Sequence, residues 1–135
     1  MNPTELKAFA GHYARAWCSR DPEKVAAFFS ENGSLRVNDG VPAVGREAVA
    51  EVVRGFMAAF PDMQVALDDL VAQSGGAVFH WTLTGTNTGQ GGTGRRIRIS
   101  GYEVWAIDAD GRIAASDGRF DAAEYDRQLR QGVDG

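Results

Sequence analysis

Glu103 lies in the run RIRISGYEVWAI, Arg96–Ile107, where strand alternation puts Ile99, Gly101, Glu103 and Trp105 on one face. A carboxylate walled by apolar groups has a raised pKa and can take or give a proton near neutral pH. The plainer reading is a solvated or salt-bridged strand glutamate. Tyr13 shares a helical face with Leu6, Phe9, Ala10, Ala16 and Trp17, which makes its hydroxyl a hydrogen-bond donor carried on the buried side of a helix. Its plainer reading is a core tyrosine with a wet hydroxyl. Trp17 and Trp105 suit an apolar wall around these two groups. Phe56 and Phe60 belong with Met57 to a helical stripe that is mostly core, with one or two members placed to touch a ligand.

The elements that must carry these residues follow from capping, turn chemistry and periodicity. A first helix is predicted over Pro3–Ser19, capped by Asn2, with Pro3 at its first position and Glu5 completing a capping box. Asp21-Pro22 starts a second helix through Phe29, which Asn32-Gly33 ends. A third carries Val49, Val52, Val53, Phe56, Met57 and Phe60 on one stripe and stops at Pro61. Strands are predicted at Ser34–Asn38, Met63–Ala72, Ala77–Thr86, Arg96–Ile107 and Arg112–Phe120. Ser74-Gly75-Gly76 and Asp108–Gly111 are short links, so the last four strands read as an antiparallel meander, with a short helix after Asp121. Helices first and hairpins after give an α+β domain with helices on one face of a curved sheet. The 135 residues, 44% apolar and 24% charged, fit one domain over residues 1–135. A net charge of -4 argues against general nucleic-acid binding, one cysteine excludes an internal disulfide, and no apolar run reaches a membrane span. MNPTELKAFAGH lacks the pattern of a signal peptide, so a cytoplasmic protein is expected.

Phe60–Gly101 reads as two long strands, a glycine-rich loop and the start of a third strand. With its surroundings it resembles SnoaL-like polyketide cyclases of the NTF2-like superfamily. The resemblance rests on an ordered set: GREAVAEVVRGF from Gly45, FPD from Phe60, WTLTGTNTG from Trp81, TGRR from Thr93, DGRI from Asp110 and the late Gln128-Leu129. It implies a cone of helices and curved, mainly antiparallel sheet enclosing a pocket. It also implies a homodimer through the outer sheet face and cofactor-free chemistry on a hydrophobic small molecule. Family members close polyketide rings by aldol condensation, and relatives isomerise ketosteroids, open epoxides or only bind. Such chemistry needs a base for an acidic C–H and a donor for the enolate oxygen. The cyclases' strand histidine falls on Glu103 in GYEVW, and their aspartate falls on Gly118 in SDGRFD. The epoxide hydrolases' W-R-D-Y-F-D resembles Ser116–Asp121, again with Gly118 in place of the central aspartate. Ser116 joins the substrate-binding candidates. The isomerases' tyrosine matches Tyr13, and their base position falls on Asn38. The strand and helix patterns, read with the resemblance, make Glu103 the candidate proton carrier, Tyr13 the oxyanion donor and Asn38 a helper, with Trp17, Phe56, Phe60, Trp105 and Ser116 around the substrate.

Other polar residues read as structural. Asp121 caps the last helix in D-A-A-E, and Asp117 and Arg119 share the outer face. His80 faces outward if Phe79 and Trp81 face the helices; His12 lies off the apolar stripe, and the two histidines make no metal pattern. Cys18 reads as a buried small side chain. Asn87–Gly94 carries four glycines without the end of a phosphate loop, so it is a flexible rim over the pocket mouth or a wide hairpin. Arg95, Arg96 and Arg98 beside it are solvated, salt-bridged, or placed to attract an anion. Two alternatives to an enzyme remain: a non-catalytic binder of the same fold, and an interaction module whose pocket is filled.

Overall fold

The computed structural model describes residues 1–134. Helix α1 runs Pro3–Trp17, and its predicted capping box is present, with the Asn2 and Glu5 side chains each accepting from the other's backbone N–H. It ends two residues before the predicted Ser19. Arg20 takes a positive φ of 64°, and Ser19 Oγ accepts from Asp21 N, turning the chain into α2, Pro22–Ala26.

The second helix does not run through Phe29 as predicted but stops at Ala26. Phe29 instead opens strand β1, Phe29–Val37, opposite Ile113 of β6, Ile113–Phe120. Asn32-Gly33, read as a helix stop, lies inside β1, where the register shifts between Phe29 and Ser34. A Cβ on Gly33 would come within 2.7 Å of the Ile113 carbonyl, so only glycine lets the bulged strand lie that close. The two-residue edge strand β2, Ala43–Val44, was not predicted; two residues carry no periodicity.

Helix α3, Arg46–Ala59, buries Val49, Ala50, Val53 and Met57 as its stripe requires. Strands β3, Gln64–Gln73, β4, Gly76–Thr86, and β5, Arg96–Ile107, precede β6, and these four form the expected meander. The six-stranded sheet is curved, unclosed and mixed, in the order β2-β1-β6-β5-β4-β3, with β1 parallel to β6. Helix α4, Ala122–Gln131, is capped by Asp121, whose carboxylate accepts from Glu124 N. It also closes a sheet edge. The buried Gln128 amide accepts from Arg98 N and donates to Arg98 O, taking the place of a neighbouring strand where β6 no longer reaches β5.

The segment 87–94 is the wide hairpin between β4 and β5, and it is pinned rather than loose. Asn87 Nδ2 donates to Ala59 O, Asn87 Oδ1 accepts from Thr93 N, and Gly89 N donates to Ala59 O. The two bonds to Ala59 tie it to the end of α3, and the one from Thr93 closes the hairpin on itself. His12 is exposed and Cys18 is half-buried, its thiol against the backbone of Ala14 and Val65. Asp117 and Arg119 form an ion pair of 3.1 Å on the outer face, with Asp39 joining Arg119 at 2.7 Å. No helix among the described residues is long and apolar enough to cross a membrane.

Candidate active site

Three adjacent cross-strand rows on the inner face of the sheet build the site. Leu35, Ser116 and Trp105 stand opposite one another in the first, Val37, Gly118, Glu103 and Phe79 in the second, and Phe120, Gly101 and Trp81 in the third. Glu103 therefore sits between a row that carries polar donors and a row whose middle position has no side chain. Alternation in β5 is regular, so Ile97, Ile99, Glu103 and Trp105 are buried while Arg98, Ser100, Tyr102 and Val104 are exposed.

Helix α1 lies over this face and brings Tyr13 down onto Glu103. Tyr13 has no exposed surface, and its ring meets those of Trp105 and Phe79 edge-on at 5.1 and 5.3 Å. One carboxylate oxygen of Glu103 takes every donor in reach. Oε1 accepts from Tyr13 Oη at 2.9 Å, Trp105 Nε1 at 3.0 Å and Ser116 Oγ at 2.7 Å. Oε2 has no partner among the described residues. Burial raises the Glu103 pKa above the ordinary carboxylate range, and the bonds from Ser116, Trp105 and Tyr13 only partly oppose it. Tyr13 is pushed far up, first by burial and then by the charge of Glu103, so it stays a protonated donor.

In front of Glu103 is a cavity of about 60 Å³. Its wall is apolar apart from the carboxylate. Aromatic rings come from Trp17, Phe56, Phe79, Trp81 and Phe120, and Gly118 leaves open the space beside the Glu103 side chain. The volume is well under the roughly 150 Å³ of an engineered void that holds benzene. A larger ligand would put one end here and pass out between the half-exposed Phe56, Trp81 and Phe120.

Of the sequence candidates, Glu103, Trp17 and Phe56 line this cavity. Tyr13, Trp105 and Ser116 lie behind Glu103 and hold it, so the Tyr13 hydroxyl expected to meet a ligand oxygen is spent on the carboxylate. Phe60 is core, packed edge-on against Tyr125. Asn38, at a positive φ of 52°, turns the chain and accepts from Phe120 N, so it shapes the rim from outside the wall. Phe79, Trp81, Leu83 and Gly118 were not nominated, although the alternation of β4 already put its three on the inner face. No group of three or more metal-ligating side chains is present among the described residues.

Residues 10–116 match the SnoaL-like domain. The chain belongs to the SnoaL-like family. Solved structures agree at the level of fold. TsrD from Streptomyces laurentii superposes with a TM-score of 0.81 at 22% identity, over 96% of this chain and 97% of that one. A putative SnoaL-like polyketide cyclase from Jannaschia sp. CCS1 gives 0.78 at 12% identity, over 94% and 90%. A hypothetical protein of ketosteroid isomerase-like fold from Catenulispora acidiphila, in complex with trimethylamine, gives 0.76 at 13% identity, over 86% and 87%. Among curated proteins no sequence match is found.

Proposed function

We propose that this SnoaL-like protein is a cofactor-free enzyme that moves a proton next to the carbonyl of a small hydrophobic molecule, by cyclisation or isomerisation. The observation that carries this is the division of labour on Glu103. Oε1 is held by three donors while Oε2 fronts an apolar cavity with no partner. Such a base is fixed in place, poorly solvated and tuned toward neutral pH. Tyr13, Ser116 and Trp105 are positioning residues in this reading. The test is isomerisation of a small β,γ-unsaturated ketone, cyclohex-3-en-1-one, to its conjugated isomer, followed by absorbance in wild-type and Glu103→Gln protein. Glu103-dependent turnover supports the reading; equal rates in both proteins and buffer contradict it for this substrate class.

A second reading has its own support. Gly118 stands where the cyclases' aspartate falls, and five aromatic rings around one carboxylate suit a small alkylammonium ion. The Catenulispora relative holds trimethylamine. In this reading the protein binds without turnover, and a trimethylammonium titration of wild type shows saturable binding that Glu103→Gln abolishes.

We also propose a homodimer through the outer sheet face. Val71, Tyr102 and Val104 are exposed there beside the Asp117–Arg119 pair. Sedimentation is expected to give twice the 14.5 kDa chain mass, and a single-chain mass at micromolar concentration contradicts it.

A further inference from the structure

We propose that Gly118 is the floor of the ligand subsite and selects a six-membered ring ketone, whose ring lies over its backbone beside Glu103; this rests on the proton-transfer reading above. Five glycines stand within strands, Gly33, Gly76, Gly85, Gly101 and Gly118. A Cβ on any of the first four would come to 3.0 Å or less from a neighbouring atom, so close packing demands glycine there. Gly118 is the exception. A Cβ there would meet Arg36 O at 3.3 Å and Glu103 Cγ at 3.7 Å, so alanine needs a few tenths of an ångström from one carbonyl. Nor does Gly118 take the positive φ that favours glycine.

A glycine inside a strand weakens it and often marks the close approach of a ligand. Strand β6 lies between β1 and β5 and is paired on both sides, so the sheet bears that weakness near its middle. What the missing side chain provides is room on the cavity wall. Gly118 lines the cavity together with Val37, Glu103 and Phe79, its partners in one cross-strand row. Its carbonyl accepts from Asn38 N at 2.7 Å, so the room has a flat peptide floor rather than a polar group seeking a partner.

The shape of this room selects the ligand. With about 60 Å³ and walls of aromatic rings, the cavity takes one thin apolar end of a molecule and no branched one. A ring fills such a slot without the loss of bond rotation that an open chain suffers on binding. Lying on Gly118, the ring sets the carbon next to its carbonyl against the side chain of Glu103. Any further part of the molecule passes out between Phe56, Trp81 and Phe120. Gly118 is thus the residue that sets specificity, and it touches the ligand through backbone alone.

The probe is 4-phenylcyclohexanone, whose ketone ring can enter while its phenyl group leaves by the mouth. Calorimetric titration is expected to show saturable binding to wild type, about 10-fold weaker binding to Gly118→Ala, and none measurable to Gly118→Val. Thermal unfolding separates this from a structural role: Gly118→Ala is expected to stay close to the wild-type midpoint, far above Gly101→Ala. Nuclear Overhauser contacts from the ketone ring to the Gly118 Hα protons in wild-type protein test the same placement without any variant. Equal affinities of wild type and Gly118→Ala, no contact at Gly118, or no binding to wild type overturns the proposal. Wild-type isomerisation of cyclohex-3-en-1-one without a Gly118 contact removes the subsite and leaves Glu103 as the base. A Gly118 contact without isomerisation removes the proton transfer and keeps the subsite.

Discussion

Glu103→Gln is expected to lower proton transfer by roughly 10²–10⁴-fold while leaving the protein folded and, near neutral pH, more stable. The amide oxygen of glutamine can take the place of Oε1 and accept the same bonds from Tyr13, Trp105 and Ser116. What is lost is the free carboxylate oxygen that fronts the cavity. The stability effect follows from proton linkage. Burial raises the Glu103 pKa in the folded state, so in that window the folded protein binds a proton that the unfolded chain releases. Stability is therefore full below the ordinary carboxylate range, falls as pH rises through it, and levels off above the raised pKa. Each unit of upward shift costs about 1.4 kcal/mol at the upper plateau. Glutamine removes that slope. Urea unfolding across the pH range checks it, and a variant that keeps the wild-type slope would mean another group causes it. A site that costs stability is what a functional carboxylate looks like.

Gly101→Ala is expected to cost roughly 1–3 kcal/mol and to move Trp81. The new Cβ would meet the Arg119 carbonyl at 2.3 Å, Trp81 Cζ2 at 2.6 Å and Phe120 Cβ at 3.0 Å. The first of these is backbone of the paired strand and cannot step aside without opening the β5–β6 ladder. Gly55→Ala in α3 is the control, since nothing lies within 4 Å of its Cβ. There the same substitution is expected to stabilise by about 0.5–1 kcal/mol through helix propensity. Thermal unfolding of both variants reads the contrast. Equal effects at the two sites would show that Gly101 has no packing role.

Much of this was legible in the residues. Regular alternation in RIRISGYEVWAI put Glu103 and Trp105 on the buried face, and Asn2-Pro3-Thr4-Glu5 announced the first helix by its cap. What failed was tertiary. Asn32-Gly33 has the chemistry of a helix stop, yet it serves a bulge that exists only because β6 lies alongside. Phe29 leaves its expected helix for the same reason, pairing with Ile113 across more than 80 residues of chain. At the site, face and row are separate questions. Alternation gives the face, but the row depends on the turn between β5 and β6, where a register irregularity at Ala106/Ile107 offsets the count. That irregularity hid the meeting of Glu103 with Gly118 and of Trp105 with Ser116. The direction of the Tyr13 hydroxyl depends on how α1 sits over the sheet, which no local pattern encodes.

The central claim is that Glu103 is a buried carboxylate poised by three donors on one oxygen. Titration of its side-chain carboxyl by carbon NMR, assigned with Glu103→Gln, tests this most directly. The expected result is a pKa clearly above the ordinary glutamate value of about 4.3. A pKa at or below that value would mean a solvated or over-stabilised carboxylate, and Glu103 could not be the proton carrier.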